Sequence, residues 1–143
     1  MSHIKEQAVN LEIMAGIITS LGMIVIMANE FAGRFLIVAG MFALCILYII
    51  LCLSDFYQDF CNKGIVFLNY SANTIAILGM ILSILKSEIA SYVLITGMIL
   101  LFVIFILNMN EIRNNKKIES WFKTSQLRIF IIAGLSILFF VMR

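Results

Sequence analysis

The residues best suited to polar chemistry lie inside the third apolar stretch of the sequence. At 100° per residue, one helical face about 120° wide collects its polar and small side chains, and the opposite face is leucine and isoleucine. Small residues let helices approach closely, and asparagine can hydrogen-bond between membrane helices. The face consists of Asn69, Ala72, Asn73, Ala76, Gly79, Met80 and Ser83.

Three roles are open to this third-span face. It can pack against helices of the same chain, it can pair with a second copy in an oligomer, or it can line a polar pore or ligand cavity. The small residues at 72, 76, 79 and 83 follow the 4-3-4 spacing of a left-handed helix seam. If the protein forms a pore, we expect Asn69 and Asn73 to line it.

A second group of candidate residues lies in the polar segment 110–126. Arg113, Lys116 and Lys117 form a basic cluster, and Trp121 and Phe122 follow on one helical face. This pattern predicts a short amphipathic helix at the lipid headgroups, where each basic residue gains about 1 kcal/mol from anionic lipid. The segment is interpreted as a positive-inside anchor, a docking site for a cytoplasmic protein or a lipid-recognition site.

Ionisable residues are missing from the middle of every apolar stretch. Glu12, Asp55 and Arg128 lie near the ends, and the single histidine is His3. Proton-coupled pumps need ionisable groups inside the membrane, and a membrane haem needs axial ligands there. We therefore expect a protein that is not an enzyme and that holds no cofactor or metal.

The composition places the chain in a membrane. Of its 143 residues 63% are hydrophobic and 13% charged, and the mean hydropathy is +1.09. Soluble domains are about 45–50% apolar and about 25% charged. The net charge of +2 is too small for a nucleic-acid partner. Membrane lipids are the first partner that this composition implies.

The apolar stretches predict one all-α domain, a polytopic bundle of transmembrane helices. A spanning helix needs about 20 apolar residues. The last stretch offers only about 24 Å of helix, so four spans plus an interfacial helix is the alternative. The five predicted spans are residues 11–28, 35–54, 65–85, 89–109 and 127–142, with a cytoplasmic amphipathic loop over 110–126.

The distribution of lysine and arginine predicts the orientation. With five spans, seven of the ten basic residues lie on the side of the N-terminus and three on the other; with four spans the split is eight to two. Because basic residues concentrate on the cytoplasmic side, we expect the N-terminus to be cytoplasmic and the protein to lie in the bacterial inner membrane.

In size, in its richness in Ile, Asn, Lys and Phe, and in its basic inner loop, the chain resembles small multi-spanning membrane subunits of bacterial defence and immunity systems. Colicin-immunity proteins and the membrane component of Kiwa are built in this way. The resemblance covers topology and composition over the whole chain and assigns no residue a role. It implies a part in bacterial defence.

Two functions follow as hypotheses. The first is a non-enzymatic membrane subunit that forms a homo-oligomer through the third-span face and engages a soluble cytoplasmic protein or anionic lipid through its inner loops. The second is a homo-oligomeric ion channel or pore-forming effector lined by the third-span face, since uncharged side chains and backbone carbonyls can line a pore.

Overall fold

Five helices account for nearly all of the described chain. The computed structural model describes residues 2–56, 63–114 and 119–141, and within these ranges it contains no strand. The all-α prediction is confirmed. The helices are α1 (Ser2–Val25), α2 (Glu30–Phe56), α3 (Lys63–Ile84), α4 (Ala90–Asn114) and α5 (Glu119–Val141).

Four of the five helices, α2 to α5, are long and apolar enough to cross a membrane. The first helix is the short one, because its apolar part, Asn10–Val25, measures only about 24 Å at 1.5 Å per residue. In the prediction from the sequence, the shortest span was instead the last one, residues 127–142. In the structure the apolar part of α5 begins earlier and runs over Lys123–Val141, which is 19 residues.

The predicted amphipathic segment 110–126 is helical at both of its described ends. Helix α4 continues to Asn114, and α5 already begins at Glu119. The reason is visible in the buried positions of α5, which recur at helical spacing from Ser125 through Ile129 to Ile132. The residues after Glu119 therefore belong to one long helix rather than to a separate interfacial one.

The third helix is the centre of the bundle. It packs against α2, α4 and α5, and 61% of its span is buried, against 22–39% for the other three spanning helices. Helix α1 packs against α2 alone, and no Cα atom in its described part lies within 8 Å of one in α5. A gap therefore separates α1 from α5.

Consecutive helices alternate in direction. The polar residues that meet inside the bundle come from the first halves of α1, α3 and α5 and from the second halves of α2 and α4. The end at which α1, α3 and α5 begin is called the basic end. Lys63 and Lys123 lie there, whereas Arg34 and Lys86 lie at the opposite end.

Tight turns join the helices at the opposite end. The side chain of Asn29 caps α2 by accepting a hydrogen bond from the N–H of Ala32 at 3.1 Å. Helix α3 ends in a Schellman motif, in which the N–H of Ser87 bonds to the carbonyl of Leu82 at 3.0 Å. Lys86 occupies the left-handed position of this motif with a φ of 55°.

The outer surface of the bundle is apolar. Large side chains such as Met27, Phe31, Phe35, Phe102 and Phe130 are between 64% and 90% exposed. A soluble monomer rarely exposes so continuous an apolar surface. The surface suits hydrocarbon as its solvent.

Candidate functional site

An ion pair joins α1 to α5, two helices whose described Cα atoms stay more than 8 Å apart. The guanidinium of Arg128 on α5 donates from Nε and Nη2 to the two carboxylate oxygens of Glu12 on α1, at 2.7 and 2.6 Å. The Arg128 side chain is 14% exposed and that of Glu12 is 20% exposed. Two parallel charge-assisted bonds of this length fix both distance and orientation.

Two tyrosines complete this cluster. The hydroxyl of Tyr48 on α2 donates to Glu12 Oε1 at 2.9 Å, and the Arg128 guanidinium lies 5.9 Å from the centre of the Tyr48 ring. The ring of Tyr70 on α3 lies 6.1 Å from that of Tyr48. The carboxylate of Glu12 thus binds side chains of α2 and α5, and Tyr70 adds α3 to the group through Tyr48. We call Glu12, Tyr48, Tyr70 and Arg128 the ion-pair cluster.

This pair could not be recognised from the sequence, because Glu12 and Arg128 are 116 residues apart and no local pattern joins them. With five alternating helices, α1 and α5 begin at the same end of the bundle. The sequence therefore does contain one indication of the pair: Glu12 and Arg128 have opposite charges and lie at a similar depth below that end.

A cavity lies between α1 and α5, directly beside the ion-pair cluster. Its volume is about 440 Å³, and we call it the α1–α5 cavity. Glu12, Tyr48 and Arg128 form one end of it. Its walls are mainly apolar, and they include Ile13, Gly16, Met23, Leu44, Met80, Leu127, Ile131 and Leu135.

The predicted third-span face packs inside the chain. Asn69, Ala72, Asn73 and Ala76 are 0–2% exposed, Gly79 is buried and Ser83 is half-buried. A Cβ atom added at Gly79 would lie only 2.9 Å from the backbone nitrogen of Leu94 on α4. Of the three roles open to this face, packing within one chain is the one that the structure displays.

The two asparagines of that face belong to a buried amide cluster with α4 and α5. Asn73 donates to Asn69 Oδ1 at 3.0 Å, and Asn69 donates to the hydroxyl of Ser125. Asn108 donates to the same hydroxyl at 3.0 Å. The amide oxygens of Asn73 and Asn108 have no hydrogen-bond partner in the structure. Nothing in the sequence marked Asn108 and Ser125 as part of this cluster.

Three of the predicted contact residues for a partner or lipid have their backbones in helices at the basic end. The backbone of Arg113 is in the last turn of α4, and those of Trp121 and Phe122 are in the first turns of α5. Lys116 and Lys117 lie outside the described residues, in the four-residue link between the two helices.

Metal-binding chemistry has no support in the described residues. Within them, no three His, Cys, Asp or Glu side chains approach each other closely enough to hold a metal ion. Glu12 is engaged by Arg128 and Tyr48, so its carboxylate stabilises the bundle rather than offering oxygen ligands.

Comparison with known proteins gives no match: no family model, no curated protein and no solved structure is similar to this chain.

Proposed function

We propose that the chain is a non-enzymatic integral membrane subunit that engages a cytoplasmic protein at its basic end. In this proposal it spans the bacterial inner membrane five times, with the N-terminus in the cytoplasm. Its part in bacterial defence, which the resemblance implies, belongs to the same proposal. The observation that carries the proposal is the difference between the two ends of the bundle.

At the basic end, the α4–α5 hairpin concentrates Arg113, Lys116, Lys117 and Lys123 within eleven residues of sequence. At the opposite end, Arg34 is already ion-paired with Glu30 one turn before it. Both turns at that end are only a few residues long. With Glu111 and Glu119 counted, the segment 110–126 keeps a net charge of +2, which attracts a partner with an acidic surface to this hairpin.

Self-association is part of the proposal, but it needs a surface other than the third-span face. That face is covered by α4 and α5 of the same chain. The exposed apolar sides of α1, α2, α4 and α5 are the surfaces that remain for a second copy.

The decisive experiment compares charge reversal at the two ends. We would co-express the chain with the product of the neighbouring gene and measure the mass of the complex in nanodiscs. Replacing Arg113, Lys116 and Lys117 by glutamate should release the partner while the protein still inserts. The matched control replaces Arg34 and Lys86 by glutamate and should retain the partner.

Three outcomes contradict the proposal. Unchanged partner binding by the charge-reversed hairpin removes the docking role of the basic end. Loss of the partner in both variants shows that general charge, rather than the hairpin, holds the complex. Retention of anionic lipid but no protein by the wild type points to lipid recognition at this end instead.

A homo-oligomeric ion channel is the second candidate. The unpartnered amide oxygens of Asn73 and Asn108 favour it, because carbonyl oxygens inside a bundle are the ligands that cation pathways use. Conduction along them requires α3 to part from α4 or α5, since both residues are fully buried. Replacing Asn69 and Asn73 by leucine should change the conductance in planar bilayers, and unchanged conductance contradicts this lining.

A further inference from the structure

We infer that the α1–α5 cavity binds one acyl chain of an anionic phospholipid from the leaflet at the basic end. The inference relies on the membrane placement of the proposed function and is independent of the protein partner. It follows from the length and width of the cavity, from the chemistry of its walls and from the charge at its mouth.

The length of the cavity matches one leaflet. Its lining on α1 runs from Glu12 to Met23, and its lining on α5 runs from Thr124 to Leu135. Each stretch rises by about 16 Å at 1.5 Å per residue. Half of a hydrocarbon core is about 15 Å thick. The cavity therefore reaches from the ion-pair cluster to about the middle of the membrane.

The width of the cavity suits a hydrocarbon chain better than a helix. Its 440 Å³, spread over that length, corresponds to a cross-section of about 27 Å². An α-helix with side chains is about 10–12 Å wide. A hydrocarbon chain carries no side chains, so it fits this narrow space better than a helix of a second copy does.

The walls of the cavity offer little to a polar ligand. Thr19 and Ser20 are the hydroxyl residues of its α1 side, and each donates to the carbonyl four residues earlier in its own helix, at 2.9 Å. The neighbouring wall is Ile, Leu and Met. Because its hydroxyl protons are already used, this part of the cavity presents an essentially apolar surface to a bound chain.

The mouth of the cavity carries the polar groups. Arg128 and Thr124 line it at the basic end, and the exposed side chain of Lys123 immediately precedes Thr124. Glu12 takes two of the five N–H donors that a guanidinium offers. A phosphate with a net negative charge fits this setting better than a zwitterionic headgroup.

The gap between α1 and α5 allows the acyl chain to enter the cavity from the side. No Cα atom in the described part of α1 comes within 8 Å of one in α5. Ile13, Leu127 and Ile131 line the cavity and are each more than half exposed. The cavity is therefore open sideways to the lipid phase.

Two glycines allow a matched test. Gly16 lines the cavity, and a Cβ atom added there meets nothing within 4 Å, so Gly16→Phe fills the cavity without a backbone clash. Gly134 on α5 has equally open surroundings but does not line the cavity, and Gly134→Phe is therefore the control. Ser20→Phe, one turn beyond Gly16 on the same wall, is a second filling variant.

The experiment is native mass spectrometry of the purified, delipidated chain titrated with dioleoylphosphatidylglycerol or dioleoylphosphatidylcholine. We expect one phosphatidylglycerol per chain, bound at least tenfold more tightly than phosphatidylcholine. Gly16→Phe and Ser20→Phe should each weaken it about tenfold, and Gly134→Phe should leave it unchanged. A thermal melt in detergent identifies any variant that does not fold.

Three results overturn the inference. Equal binding of phosphatidylglycerol by Gly16→Phe, Ser20→Phe and the wild type shows that the acyl chain does not enter the cavity. Equal weakening by Gly134→Phe shows that the glycine variants act through general disruption. Equal affinity for the two lipids shows that the negative charge of the headgroup does not contribute to binding. Since no soluble partner is present, none of these results depends on docking at the α4–α5 hairpin.

Discussion

Removal of one member of the Glu12–Arg128 pair should destabilise the bundle strongly. Arg128→Met keeps the length of the side chain but leaves the Glu12 carboxylate with only its bond from Tyr48. Breaking a fully buried pair costs about 3–5 kcal/mol. Because the side chains of Glu12 and Arg128 are still 20% and 14% exposed, we expect a smaller loss of stability, about 2–3 kcal/mol.

A double-mutant cycle separates the pair from other effects of each substitution. Glu12→Gln and Arg128→Met, alone and together, give the coupling free energy between the two side chains. Hydrogen-bonded pairs in membrane proteins couple by about 0.6 kcal/mol on average and by about 1.7 kcal/mol at most. Two charge-assisted bonds at 2.6 and 2.7 Å place this pair near the upper value, at about 1.5 kcal/mol.

The chain contains its own control for this measurement. Glu30 and Arg34 form an ion pair one turn apart at the opposite end, with side chains 69% and 35% exposed. An exposed pair of this kind contributes about 0.3–0.5 kcal/mol. Reversible unfolding in mixed micelles should therefore show a clear difference between the two cycles. A coupling for Glu12 and Arg128 no larger than that of the control pair would refute the reasoning.

Three further substitutions test other parts of the bundle by the same unfolding assay. Ser125→Ala removes the acceptor of two buried amides and should cost about 2 kcal/mol; a loss below about 0.5 kcal/mol contradicts the buried amide cluster. Gly97→Ala places a Cβ atom 2.7 Å from the Cα atom of Ala76 and should cost about 1–3 kcal/mol, whereas Gly134→Ala, in open space, should cost nothing. Lys86→Gly relieves a left-handed φ and should gain about 0.5 kcal/mol, because this relief exceeds the added freedom of the unfolded chain; a loss contradicts the Schellman turn.

The helices could be predicted from the sequence because hydrophobicity over 20 residues is a strong local signal. The presence and order of all five apolar stretches agree with the structure. The boundaries near residue 119 could not be predicted well, since α5 begins in polar residues whose helical face becomes apparent only through burial against α3 and α4. Ser125 is an example. A serine in the sequence is typical of a loop or of the headgroup region, and only the structure shows that its hydroxyl accepts hydrogen bonds from Asn69 and Asn108.

The candidate sites were predictable to a smaller extent. The third-span face could be recognised from the sequence as a group of residues because it repeats within one helix. Its contacts were not predictable, since they depend on which helices surround α3. The Glu12–Arg128 pair joins the first helix to the last, and a local pattern carries no information about a contact over 116 residues.

That long separation has a consequence for the biogenesis of the protein. A ribosome that adds about 5–20 residues per second places Arg128 about 6–23 seconds after Glu12. During this interval the Glu12 carboxylate has no Arg128 to pair with. A nascent chain truncated before Arg128 should therefore hold α1 against the bundle less firmly than the 143-residue chain does.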